Sequence, residues 1–286
     1  MIQEGRMASF RLVAVLHLPP LPGAANYAGA SVREAAERAA ADARVLARCG
    51  FTDMMIQDAS DNPQADRVGA ATVAAMSVIG SAVRQAVSIP IGVVVGHNDG
   101  PSAVAIAHAI DAQFVRVKVL TGVSAGPTGF IEGCSLDVAL MKRMLGSSVE
   151  VWADAHEATS LALAGTTDWA AAEARSFGAA DRVIVTRDSG VADALDDIAR
   201  LRDRFGDERL DLIVGGRVTG ATLVAAMDGS DGAILGSVLK TGSGHDARID
   251  PVAAEALGGT YLRHAASDRG TGRATSTVLQ TEGSLS

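Results

Sequence analysis

The chain predicts a single-domain (β/α)8 TIM barrel of class α/β, with eight parallel strands ringed by helices. Three observations carry that expectation. Short apolar runs alternate with helix-length segments eight times along the sequence, and the connections between them are short. The 286 residues suit a fold that typically takes about 250. No G-x-G-x-x-G follows the first apolar run, which sets aside a doubly wound open sheet.

The elements follow in order. Leu12 to Leu18 is the first strand, stopped by the stiff Pro19-Pro20-Leu21-Pro22-Gly23. Ser31, with Glu34 three residues on, forms a capping box for a helix that ends near Cys49 and Gly50. Thr52–Gln57, Ile89–Gly96 and Phe114–Val119 are the next strands, with helices over about 68–87 and up to Ile110 between them. A loop, LTGVSAGPTGFIEGCS, precedes a helix at Leu136–Leu145. Val149–Ala153 and Arg182–Val185 are strands five and six, with helices ending near Gly178 and Gly206. From Leu210 to Lys240 two glycine-ended strands flank a small helix, and a short helix opens at Ser237. The last helix spans Val252–His264. Residues 1–10 read as an N-terminal extension, 11–265 as the barrel, and the Ser-, Thr- and Gly-rich 266–286 as a flexible tail.

Composition narrows the function classes. Apolar residues make up 48% and charged residues 20%, enough for one sizeable core. Aromatics at 3% and a net charge of −8 argue against a nucleic-acid or anionic-membrane surface. No run reaches the about 18 apolar residues of a membrane span, and no secretory leader pattern opens the chain. Cys49 and Cys134 make neither a disulfide framework nor a zinc pattern, and both read as small structural residues. A cytoplasmic homo-oligomer is expected, with no cofactor, resident metal, nucleic acid or membrane.

Barrel active sites lie at the C-terminal ends of the strands. In VRVKV, alternation places Val115, Val117 and Val119 under the helices and points Arg116 and Lys118 into the barrel. The same parity turns Glu150, Trp152 and Asp154 inward, Asp154 next to Lys118. Such charges are either a self-satisfied buried pair or a catalytic layer, and their place at the mouth favours the second. Lys118 could be acid, base, phosphate partner or imine-forming amine; a neighbouring Asp154 that keeps it protonated disfavours the last. His17, Gln57 or Asp58, and His97-Asn98 close strands one to three, and His156 follows strand five; His17, Asp58, His97 and His156 are catalytic candidates and Asn98 a candidate substrate contact. On the far side, Gly215 and Gly216 permit close backbone approach, while Gly236 and Ser237 offer N–H groups to an anion. Arg217 either clamps that anion or points to solvent, and Thr186 either bonds a ligand or caps a turn. The residues His17, Asp58, His97, Asp154 and His156 could also ligate a metal, although a His-x-His on strand one and an aspartate ending strand eight are both missing.

Several segments together resemble the BtpA/SgcQ family: HLPPLPG at 17–23, GHND at 96–99, FVRVKVLTG at 114–122, GFIEG at 129–133, WADAH at 152–156, VTRDSG at 185–190, VGGRVT at 214–219 and DGAILGSVLK at 231–240. The resemblance covers roughly residues 10 to 265 and implies a barrel related to ribulose-phosphate-binding folds. One branch of that family is linked to photosystem I stability, another to sugar utilisation. The chain departs from the pattern at Gln57-Asp58, where the family has Glu-Asn, and at Lys118, where it has Asn. It departs again at 157–160, where the family has Lys-His, and at Gly215-Gly216-Arg217, where it has Gly-Ser-Gly. The expected function is therefore an enzyme on a small phosphorylated or anionic sugar- or nucleotide-like molecule. Lyase, aldolase, isomerase and glycosyl-bond chemistry all fit. A non-catalytic assembly or regulatory factor and a metal-dependent hydrolase are the alternatives.

Overall fold

Strand β1 (Arg11–His17) hydrogen-bonds on one side to β2 (Asp53–Gln57) and on the other to the final strand, which closes the sheet on itself. The computed structural model describes residues 10–60, 63–155, 159–163, 165–206, 210–244 and 247–270. After β2 come β3 (Ile91–Val94) and β4 (Phe114–Val117). A hairpin of β5 (Val123–Gly126) and β6 (Gly129–Glu132) follows, then β7 (Glu150–Asp154) and β8 (Leu161–Ala162). The chain continues through β9 (Arg182–Val185), β10 (Asp211–Val214) and β11 (Gly232–Leu235). The closed parallel barrel has the order β1-β11-β10-β9-β7-β4-β3-β2.

The helices are α1 (Val32–Arg48), α2 (Ala70–Ala86), α3 (Gly100–Ala109), α4 (Ser135–Leu145), α5 (Thr167–Ser176), α6 (Val191–Phe205), α7 (Leu223–Gly229) and α8 (Pro251–Gly270). Ser31 caps α1 as its sequence implies, its side chain accepting the Glu34 N–H at 3.3 Å. Gly50 follows with φ +92, the left-handed geometry that ends a helix.

Three elements differ from the sequence expectation. The segments read as plain loops after β4 and β7 contribute a second sheet of order β6-β5-β8. Its strands are two to four residues long, and β5 pairs with β8 across the whole of α4 and β7, so local alternation carries no trace of it. The helix expected after β11 is a single 3₁₀ turn, Ser237–Leu239. Helix α8 runs to Gly270, so 266–270 belong to it rather than to a tail; residues 271–286 and 1–9 lie outside the described residues. Phe10, assigned to the extension, packs on Tyr261 of α8 with ring centroids 6.1 Å apart.

The interior is layered. At the bottom, Arg11 bonds Asp53, and Arg182 bonds Glu150 and Asp211. Both guanidinium groups lie over the Trp152 ring, 5.5 and 5.4 Å from its centroid. Above them an apolar plug of Val13, Val15, Met55, Val94, Phe114, Trp152, Ile184, Ile213 and Ile234 fills the barrel. Phe114 stacks on Trp152 at 3.9 Å between centroids. Gly92 on the neighbouring strand makes room for it, since a Cβ there would stand 2.1 Å from the Phe114 ring. Gly92→Ala should therefore destabilise the protein by about 1–3 kcal/mol, the usual cost of overpacking. A lowered denaturant midpoint that Phe114→Leu partly restores would confirm it.

Candidate functional site

A cavity of about 410 Å3 opens at the C-terminal ends of the first four strands. His17 from β1, Gln57 from β2 and Lys118 just past β4 line it from the barrel. The connection after β2 contributes Ala59, Pro63 and Gln64; the turn after β3 contributes His97. The β5–β6 turn adds Pro127 and Thr128, and the loop after β7 adds Thr159. The parity read from VRVKV holds. Val115 and Val117 are buried in the outer core beneath the helices, while Lys118 faces the mouth.

Asp58 is buried and lines a separate cavity of about 60 Å3 with Leu21, Val68 and Thr72, which shares Gln64 with the mouth cavity. Gly96 donates its N–H to both carboxylate oxygens at 2.9 and 3.0 Å. The Gln64 Nε2 donates to the Asp58 carbonyl at 2.9 Å. Burial is the main influence on its carboxyl and raises its pKa from 3.8 to about 6, opposed by the Gly96 bond and the Lys118 charge. Gly96 takes φ +58 and is pressed against the Ala65 and Asp66 carbonyls, so a side chain there would displace this cradle.

His97 joins three loops. Its Nδ1 lies 3.8 Å from the Asp66 carboxylate and its Nε2 3.4 Å from the Thr159 hydroxyl, and Gly126 of the hairpin passes over the ring. Asn98, read from sequence as a substrate contact, gives its amide to the protein. Nδ2 donates to the Val119 and Glu132 carbonyls, and Oδ1 accepts the Val119 N–H at 2.9 Å. Asp99 caps α3 through Ser102 and also accepts the Val68 N–H. In GHND, then, only His97 lines the cavity; the other three residues shape its backbone.

Asp154 is committed to Arg116. The guanidinium donates to both of its oxygens, at 2.9 and 2.7 Å, and the carboxylate side chain is fully buried. Arg116, from the same inward face as Lys118, thus grips Asp154 at two points, because the planar fork of arginine matches the two oxygens of a carboxylate. Cys134 is buried, its thiol pushed up to about 11 by burial. Cys49 is half-buried at the end of α1.

The glycine-rich half of the mouth is separate from the cavity lining. A Cβ on Gly215 would stand 2.3 Å from the Thr186 hydroxyl, which is buried with no hydrogen-bond partner among the described residues. Gly216 and Arg217 both take positive φ, and the exposed Arg217 guanidinium lies 3.6 Å from Asp188. Gly236 precedes Ser237 at the 3₁₀ turn and faces the His17 ring, so His17 stands between the two halves. His156 lies outside the described residues, and among those residues no three His, Cys, Asp or Glu side chains gather as a metal-ligand set. Sequence reading missed Gln64, Thr128 and Thr159. The GPTG turn at 126–129, flanked by apolar residues, was the available signal for Thr128.

The family model described as the BtpA family matches residues 9–258. The chain belongs to the BtpA family. An uncharacterized Pyrococcus horikoshii protein is 34% identical over 231 residues, covering 81% of this chain and 88% of that one. The Synechocystis photosystem I biogenesis protein BtpA is 38% identical over 144 residues, half of each chain. Among solved structures, the phosphoribosylanthranilate isomerase of Thermotoga maritima superposes with a TM-score of 0.51 at 13% identity, covering 90% of this chain and 98% of that one. That likeness concerns the barrel fold.

The Asp58 environment has a consequence for stability. The folded protein holds this proton more tightly than the unfolded chain does, so ionising the group costs stability. The cost is absent below about pH 4 and complete above about pH 6, and amounts to roughly 2–3 kcal/mol. Asp58→Asn should remove this fall between pH 4 and 6 in denaturant titrations; an unchanged pH profile would place the pKa elsewhere.

Proposed function

We propose that the chain is an enzyme acting on a small phosphorylated or otherwise anionic sugar- or nucleotide-like molecule bound across the barrel mouth. The observation that supports this most is the 410 Å3 cavity, within the size range of small-molecule sites, where Lys118, His17 and His97 converge; Asp58, its carboxyl raised by burial to about 6, lies across Gln64 in the adjoining cavity. A carboxyl with a pKa of about 6 exchanges protons readily at neutral pH, the property required of a general acid or base. The Lys118 ammonium is suited to stabilise negative charge as it develops on a substrate oxygen. His17 and His97 orient the substrate, and Asp154 acts through Arg116 to hold the layer beneath Lys118. The anion lies on the other half of the mouth, against the backbone of Gly215, Gly216, Gly236 and Ser237, with the Thr186 hydroxyl below and Arg217 alongside. Isomerase, lyase, aldolase or glycosyl-bond chemistry fits this division into a reacting end and an anchored end.

A thermal-shift panel of phosphosugars and nucleotides tests the reading. A substrate at about 100 times its Kd should add about 2.7 kcal/mol of apparent stability. With the responding ligand as substrate, Lys118→Met should lower kcat by about 100-fold or more. Unchanged turnover in that variant, or no response across the panel, would sink the proposal. The name of the Synechocystis relative favours a second reading, an assembly factor that uses the barrel as a platform. That reading requires a partner-dependent phenotype to survive loss of both Lys118 and Asp58.

A further inference from the structure

The small β6-β5-β8 sheet has an apolar outer face. Pairing sets Phe130 opposite Ala125 and Ala125 opposite Leu161, so these three form one row across the sheet. Val123 pairs with Glu132, and Leu163 donates its N–H to the Val123 carbonyl, forming a second row on the same face. Ser124 and Ile131, which alternate with them, are buried on the inner face. On the outer face Phe130 is 71% exposed, Leu161 67% and Leu163 50%, with Val123 also open. Two residues beyond Leu163, Gly165 carries the half-exposed Trp169 ring. In a chain that is only 3% aromatic, such exposure is a costly use of two aromatic side chains.

We propose that this face is the dimer interface of the protein, packed face to face against its own copy about a twofold axis. Two arguments select a second copy as the occupant. The first is area. The five large side chains expose roughly 500 Å2, near the top of what a monomer leaves uncovered. A standard interface takes about 800 Å2 from each partner, somewhat more than half of it apolar, so the patch supplies the apolar share of one stable dimer. The second is charge. Two copies of a chain with net charge −8 repel, and they meet most cheaply where charge is scarce. The segments that build the patch, 121–133 and 159–169, carry two charges, Glu132 and Asp168, in a chain that is 20% charged. A second apolar stripe, Leu136, Leu140 and Met144 on α4, is interleaved with Asp137, Lys142 and Arg143 and lacks this property.

The interface bears on the site because Pro127 and Thr128, the turn of the same hairpin, line the cavity. Dimerisation fixes that turn, so cavity closure is tied to protein concentration. The proposal stands apart from the substrate assignment, since its readout is mass. Light scattering on the full chain at about 50 μM should give twice 29.1 kDa. Phe130→Ser with Leu161→Ser should weaken the dimer at least tenfold, while Leu140→Ser with Met144→Ser on α4 should leave it intact. Circular dichroism and melting establish that each variant is folded. Should the sheet variant fail to fold, hydrogen exchange of the native chain decides: amides of 129–133 should become more protected as concentration rises from about 1 to 100 μM. A monomeric native chain overturns the proposal, with or without sedimentation on lipid vesicles. So does a dimer that survives the sheet variant but not the α4 variant, or exchange that ignores concentration.

Discussion

The clamp of Arg116 on Asp154 is the interaction on which the mouth of this barrel depends. A carboxylate buried without a partner is strongly unfavourable, and inward-facing positions beneath a barrel mouth offer little water to compensate. By taking both carboxylate oxygens, Arg116 makes a charged layer tolerable directly above the apolar plug. That layer is the platform for Lys118, two residues further along the same face of the strand. Below the plug, the Arg11, Asp53, Glu150, Arg182 and Asp211 network solves the same problem at the other end, with both guanidinium groups within 5.5 Å of the Trp152 ring centroid. The barrel interior is thus apolar in the middle and ionic at both ends.

Glycine placement explains how these ends stay open. Gly92 yields its volume to Phe114, and Gly96 yields its N–H to Asp58. Gly215 yields its volume to Thr186. Each lies at or near a strand end that faces the interior, and each is explained by the group placed against it rather than by flexibility. The two halves of the mouth differ accordingly: side chains define the β1–β4 half, and backbone defines the β10–β11 half.

Much of this was legible in the sequence because it depends on local periodicity. Alternation in VRVKV and EVWAD placed Arg116, Lys118 and Asp154 inward, and the capping box at Ser31 and Glu34 marked the start of α1. Partner choice was not legible. Parity turns Lys118 and Arg116 to the same face, but only side-chain reach and guanidinium geometry decide that Arg116 grips the Asp154 carboxylate at two points. Asn98 carried the same ambiguity, since a polar residue at a strand end binds either ligand or backbone. Here its amide secures the Val119 and Glu132 backbone at the root of the hairpin. The second sheet was hidden because its strands are short and its pairing is non-local.

That sheet also sets an order of assembly. Its β5–β6 hairpin can form from neighbouring residues, but β8 reaches β5 only after α4 and β7 have been placed. Closing so long a connection costs chain entropy, which is repaid once the two loops are already held at adjacent strand ends. The β8 pairing therefore belongs to the late stage of folding, after β4 and β7 have docked. A nascent chain released before β7 would carry the hairpin turn of the cavity without the Thr159 wall opposite it. The binding site is completed by topology as much as by composition, and it comes into being only when the barrel does.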